Sequence, residues 1–153
     1  MTLTPQQALA EAIKVVNKTF VGLLTTVAPD GMPYSRWMGT AALEGGLHTL
    51  YTLTDARTRK VQHLQTNPQV CWAFSCDECQ DVVTLFGTAK VLRSALVMQQ
   101  VFDHLQDYAR QWAMGPLGGQ EEVDFVTIET TVQRVEYISP RLKIYAPQVV
   151  EIG

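Results

Sequence analysis

The sequence predicts a mainly β domain with flanking helices, in which six or seven antiparallel strands wrap into a barrel. Three observations carry that prediction. Short β-branched apolar runs recur along the chain and are separated by tight-turn chemistry such as Ala28-Pro29-Asp30-Gly31 and Gly45-Gly46. Consecutive strands joined by tight turns pair antiparallel, and six or seven around one core favour a barrel over an open sheet. The regular alternation of strand and helix that a parallel doubly wound sheet requires is missing, and no glycine-rich strand-to-helix loop is present. At 153 residues the chain reads as one domain, residues 1–153, large enough to bury a core without staples.

The elements follow in order. Thr4-Pro5-Gln6-Gln7 opens a helix, with Thr4 as N-cap, Pro5 in the first turn and Gln7 closing a capping box. Leu9, Ala12, Ile13 and Val16 give it one apolar face, and Phe20 ends it. Val21–Val27 and Pro33–Ala42 form a hairpin across the Pro29-Asp30-Gly31 turn, and Leu47–Thr54 is a third strand. A corner at Asp55-Ala56 leads into a short helix over Arg57–Gln65, which stops at Asn67-Pro68 because the residue before proline is pushed off helical angles. Val70–Ser75 and Val82–Leu92 are the fourth and fifth strands. Ser94 caps one long helix with the stripe Val97, Val101, Leu105, Tyr108 and Trp112, ended by Gly115-Pro116. Two more strands, Val123–Glu129 and Val132–Ser139, precede an irregular tail containing Pro140 and Pro147.

Composition narrows the function. With 46% hydrophobic and 18% charged residues the chain is globular, and a net charge of −3 argues against a nucleic-acid or membrane-surface partner. The start lacks the basic and long apolar segments of a signal peptide, and no apolar run reaches the roughly 18 residues that span a bilayer. Three cysteines cannot all pair, which fits a reducing cytoplasm. Against this acidic background, three of the twelve basic residues, Arg57, Arg59 and Lys60, stand within four positions at a helix start. Unpaired N–H groups and a positive macrodipole lie there too, so the cluster reads as a phosphate seat. The plainer alternative is an Asp55–Arg59 surface pair with solvated neighbours. Cys76-Asp77-Glu78-Cys79 reads as an acidic hairpin tip with free thiols, since a zinc site needs two further ligands. His48, His63 and His104 are scattered and read as surface or core filler, and Trp37 suits either a stacking contact or a subunit seam.

The hairpin around Ala28–Pro33, then Arg36-Trp37-Met38, Leu53-Thr54, Arg59-Lys60 and Asn67-Pro68-Gln69-Val70, come in an order that resembles the pyridoxamine 5'-phosphate oxidase-like FMN-binding split barrels, in their short bacterial general-stress-protein branch. The resemblance runs from about Ile13 to Tyr137. It implies a homodimer of split β-barrels holding FMN noncovalently at the subunit interface, and an FMN-dependent oxidoreductase whose small-molecule substrate stays open. By the same resemblance, Arg36, Trp37 and Met38 match the segment beside the isoalloxazine that reaches toward the phosphate. Leu53 and Thr54 match the strand end at the phosphate and ribityl chain, and Arg59 and Lys60 match the basic phosphate ligands. Where the family's oxidase has a flavin-contacting glutamine, this chain has Val82, with Gln80 two residues off. The oxidase's Arg-Pro-Ser-Gln segment is missing, and Arg141-Leu142-Lys143 only partly matches its substrate-binding Arg-Leu-His. The resemblance therefore extends to the cofactor and not to pyridoxamine phosphate as substrate. Alternatives are a non-catalytic flavin-binding or sensing module, and a related barrel that uses deazaflavin or haem.

Overall fold

The computed structural model describes residues 2–114 and 123–152. Helix α1 (Pro5–Thr19) starts as its sequence dictates: the Gln7 N–H donates to Thr4 Oγ1 at 3.1 Å and the Thr4 N–H to Gln7 Oε1 at 2.9 Å. It ends where Phe20 turns left-handed, φ 56°. Its buried face is Ala8, Ala12, Val15 and Val16, with Leu9 and Ile13 at the margin, a slight rotation from the predicted stripe. Seven strands follow: β1 (Val21–Val27), β2 (Pro33–Gly39), β3 (Thr49–Asp55), β4 (Gln69–Cys76), β5 (Asp81–Leu92), β6 (Phe125–Ser139) and β7 (Ile144–Glu151). The remaining α-helices among the described residues are α2 (Arg59–Thr66), α3 (Ala95–His104) and α4 (Asp107–Met114).

Every pairing is antiparallel, in the order β2-β1-β4-β5-β6-β3, with β7 also on β6. The sheet curls until its two ends meet. Just past β2, Ala41 exchanges both backbone hydrogen bonds with Tyr51 of β3, at 2.8 and 2.9 Å, and Thr52 Oγ1 donates to the Gly39 carbonyl. The predicted antiparallel barrel with flanking helices is thus the fold. Trp72, Phe74, Leu24, Leu50, Leu85 and Tyr137 fill its interior, and α1 covers one side of this core. None of the helices among the described residues is long and apolar enough to cross a membrane.

Four details depart from the sequence reading. The single long helix is two, because Leu105 is extended (ψ 132°) and buries its side chain with Ala41, Leu53, Val101 and Ala109. The kink turns Tyr108 and Trp112 outward and brings Ala109 onto β2, so close that a Cβ on Gly39 would lie 2.0 Å from the Ala109 carbonyl oxygen. The expected stop at Gly115-Pro116 and the glycine-rich loop after it lie outside the described residues.

The two late strands are one, β6, which bends instead of turning. Its register against β5 slips by one residue at Gln133, opposite Gly87, whose missing side chain admits the Thr131 carbonyl. The tail is β7, an edge strand whose Pro147 sits where the β6 register slips, so its missing N–H interrupts no regular ladder. Helix α2 starts at Arg59 and not Arg57, because Asp55 Oδ1 takes the Arg57 N–H at 2.8 Å in a tight turn.

Candidate functional site

The predicted basic cluster assembles at the corner between β3 and α2. Lys60 is only 9% exposed, and its Nζ donates to Thr54 Oγ1 at 3.0 Å. Arg36 reaches in from β2, with Nη1 donating to Thr26 Oγ1 at 2.7 Å and to the Leu24 carbonyl at 3.3 Å. The Arg59 guanidinium lies 4.3 Å from the centre of the Tyr34 ring. Three cations from two elements therefore share one partly buried corner.

Their electrostatics record the crowding. Burial, then the neighbouring Arg36, pushes Lys60 down to about 8, and burial with Arg59 pushes Arg36 down to about 10. The carboxylate that offsets Lys60 is Asp55, and it is already committed. Its two oxygens take Arg57 Nε and Nη2 at 2.8 and 2.6 Å, and the backbone N–H groups of Arg57 and Asp124 as well. The Arg57 hydrogen bonds hold its carboxyl well below the usual range. The plain surface pair Asp55–Arg59 is thus not formed: Asp55 chose Arg57, because the turn after β3 places that guanidinium two residues away.

The start of α2 adds donors. Thr58 stands at the N-cap, yet its hydroxyl turns back to the Asp55 carbonyl at 2.8 Å, and no side chain caps the first turn. Together the corner offers a guanidinium fork, an ammonium, threonine hydroxyls and uncapped helix N–H groups. That donor set suits a compact, doubly charged oxyanion.

Of the seven residues singled out from the sequence, Arg36, Thr54, Arg59 and Lys60 converge here. Trp37 points from the opposite face of β2 and is 50% exposed. Met38, on the same face of β2 as Arg36, is buried in the main core, and Leu53 is buried in the smaller one under α3 and α4. Sequence reasoning missed His63, Thr26 and Tyr34. His63 is 4% exposed; its Nδ1 lies 2.8 Å from Thr26 Oγ1 and its ring 5.2 Å from that of Tyr34. The i, i+4 spacing of Arg59 and His63 on one helix was the available signal.

Other candidates resolve differently. Cys71, Cys76 and Cys79 are free, and the Cys76–Cys79 segment is the β4–β5 turn, with Asp77, Glu78 and Cys79 all left-handed. Arg141 is held by buried Asp81 at 3.0 and 3.2 Å, and Asp81 also accepts from Tyr137 and Ser139. It anchors the turn after β6, at the far end of the barrel from the cationic corner. His104 bonds its own helix carbonyl at Gln100, and Val82 lies on the outer sheet face opposite Ile138.

Comparison with known proteins agrees with this architecture. No curated protein matches the chain. A protein related to general stress protein 26, from Clostridium acetobutylicum, superposes with TM-score 0.73 at 20% identity over 98% of this chain and 97% of that one. A pyridoxamine 5'-phosphate oxidase-related, FMN-binding protein from Nostoc punctiforme gives 0.67 at 18% identity, over 99% and 98%. A haem-binding protein from Mycobacterium smegmatis gives 0.72 at 18% identity, over 98% of this chain but 60% of that one. At such identities the likeness establishes the fold alone. The family model for pyridoxamine 5'-phosphate oxidase matches residues 8–139, and with most of the chain inside that match, the protein belongs to the pyridoxamine 5'-phosphate oxidase family.

Proposed function

We propose that the protein binds FMN noncovalently and is an oxidoreductase acting on a small molecule, with the FMN phosphate seated on Arg36, Thr54, Arg59 and Lys60. The observation that carries this reading is the buried excess of positive charge at the β3–α2 corner, where Asp55 is already spent on Arg57. An FMN phosphate carries nearly two negative charges and fits a guanidinium, an ammonium and hydroxyls together. Lys60 and Arg36, both disfavoured as cations in the free protein, gain their missing counter-charge from it.

When bound, the flavin supplies the electron or hydride transfer, and the chain supplies anchoring and orientation. Arg36 and Lys60 would hold the phosphate end. No acid, base or nucleophile is required of the protein for this chemistry.

The second half of the cleft is a second copy of the chain. Register places Trp37, Leu23, Ala73 and Thr84 side by side on the outer face of β2, β1, β4 and β5, with Cys71 and Phe86 in the next row. A half-exposed tryptophan beside such neighbours supports a homodimer seam along this face. The free cysteines accord with a cytoplasmic home. Haem is the weaker alternative, since His63 is buried against Tyr34 among the cations of the corner.

The test is the absorption spectrum of the purified protein with mass identification of what denaturation releases. A yellow protein releasing FMN is expected. Colourless protein that takes up no added FMN would refute the reading. Arg59→Ala with Lys60→Ala is expected to weaken FMN strongly while the dimer persists. Turnover is tested by reducing the bound flavin anaerobically with NADH or NADPH and screening acceptors that reoxidise it faster than oxygen.

A further inference from the structure

We infer that His63 is a positioning residue of the phosphate seat, which aims the Arg36 guanidinium through Thr26 and takes up a proton when a phosphate dianion arrives. This rests on the mononucleotide reading above and extends it to how the seat is regulated.

The geometry is a relay of three side chains. Thr26 Oγ1 is fully buried and has one proton and two lone pairs. Arg36 can only donate, so its Nη1, at 2.7 Å, occupies one lone pair. The hydroxyl proton is then directed to His63 Nδ1, at 2.8 Å, which requires a neutral imidazole protonated on Nε2. In an imidazolium, Nδ1 would donate as well. Both lone pairs of Thr26 would be filled, and its hydroxyl proton would need another acceptor where no solvent reaches, a role a phosphate oxygen would take once the dianion is bound.

Charge points the same way. His63 faces Arg59 and Lys60 on its own helix, Tyr34 and Arg36 from β2, Thr26 from β1, and Asp30 from the β1–β2 turn. Burial, then Arg36 and Arg59, pushes His63 below its ordinary value, and Asp30 opposes only weakly. In the free protein a fourth positive charge is therefore disfavoured. A dianion set among the same cations offsets most of their charge, and the imidazole becomes the group able to respond near neutral pH.

The test is calorimetric titration of FMN into the flavin-free dimer at pH 6.5 in two buffers of different ionisation enthalpy, which counts protons exchanged on binding. FMN's own phosphate exchanges protons as well, so the comparison is wild type against His63→Asn, whose amide oxygen can accept from Thr26 and cannot titrate. Wild type is expected to take up a fraction of a proton more than His63→Asn. His63→Leu, which leaves the Thr26 hydroxyl without its acceptor, is expected to bind FMN about tenfold more weakly than His63→Asn. Should the variants fail to fold, nitrogen NMR of wild type decides: an Nε2-protonated His63 titrating below 6.5 without FMN and above it with FMN supports the coupling. Equal proton counts, equal binding by Asn and Leu, or a His63 that ignores FMN would overturn it while leaving FMN binding intact. Failure of every protein to bind FMN would overturn the mononucleotide reading and this inference with it.

Discussion

Lys60→Met removes the most strongly desolvated cation of the corner and keeps nearly the same volume, so it separates stability from binding. Lys60 falls from its ordinary 10.5 to about 8 in the fold. A drop of that size corresponds to about 3 kcal/mol disfavouring the ammonium. Partial access of Nζ to water, and the hydrogen bond to Thr54 that methionine gives up, reduce the net to roughly 1 kcal/mol. Flavin-free Lys60→Met should therefore be more stable than wild type at pH 7 by about 1 kcal/mol in urea denaturation. The sign with pH follows from the unfolded chain, whose lysine titrates near its ordinary value. Between about 8 and 10.5 the unfolded state holds a proton that the folded state has released, so wild-type stability rises with pH across that window. The variant's advantage should shrink across the window and be gone by its upper end. With FMN added the order inverts, because a charge-assisted contact to phosphate is lost and affinity falls roughly 10- to 100-fold. A variant less stable than wild type at pH 7 without flavin, or a difference constant across the window, would refute the account of Lys60 as a charge awaiting its partner.

Gly39→Ala should cost about 2–3 kcal/mol, since its Cβ would meet the Ala109 carbonyl, and should speed amide exchange along α4; unchanged exchange there would show that α4 does not rest on β2. Arg141→Leu should destabilise by about 2 kcal/mol at pH 7 by stranding buried Asp81, a figure moderated by the half-exposed guanidinium. Asp81 is held below its ordinary value by the Arg141 hydrogen bond, working against burial. The pair's contribution is thus present above about pH 4 and lost as pH falls further, so acid should erase the difference between variant and wild type. FMN titration should leave Arg141→Leu unaltered, whereas a large loss of affinity would return Arg141 to a ligand-binding role. Trp37→Glu should shift sedimentation from dimer to monomer; a wild-type monomer would refute the seam.

The local codes were readable because they are short-range. The Thr4–Gln7 capping box, the Pro29-Asp30-Gly31 turn and the Arg59-Lys60 helix start each act within a few positions, and each stands where the sequence indicated. Arg59 and Lys60 could be named for the same reason. The Thr26–His63 pair could not: 37 positions separate its members, and only the packing of α2 across the end of β1 joins them. The break at Leu105 carries neither proline nor glycine, and arises because a pocket lined by Leu53 and Val101 captures the side chain. Strand β6 reads as two, divided at Thr130-Thr131, yet these residues continue the ladder to β3 and β5; its true irregularity, the bulge at Gln133, leaves no turn residues behind. Pro147 made an edge strand look like a tail.

The bent strand β6 also bears on how the molecule comes to be made. It hydrogen-bonds to β5 along most of its length, to β3 through its first half and to β7 through its second. During synthesis, β3 has no ladder to join until β6 leaves the ribosome, although α2 and its cationic corner hang directly from the end of β3. The nascent chain must therefore carry an unpaired hydrogen-bonding edge while some seventy residues are added between Asp55 and Phe125, the interval in which chaperones or self-association compete for it.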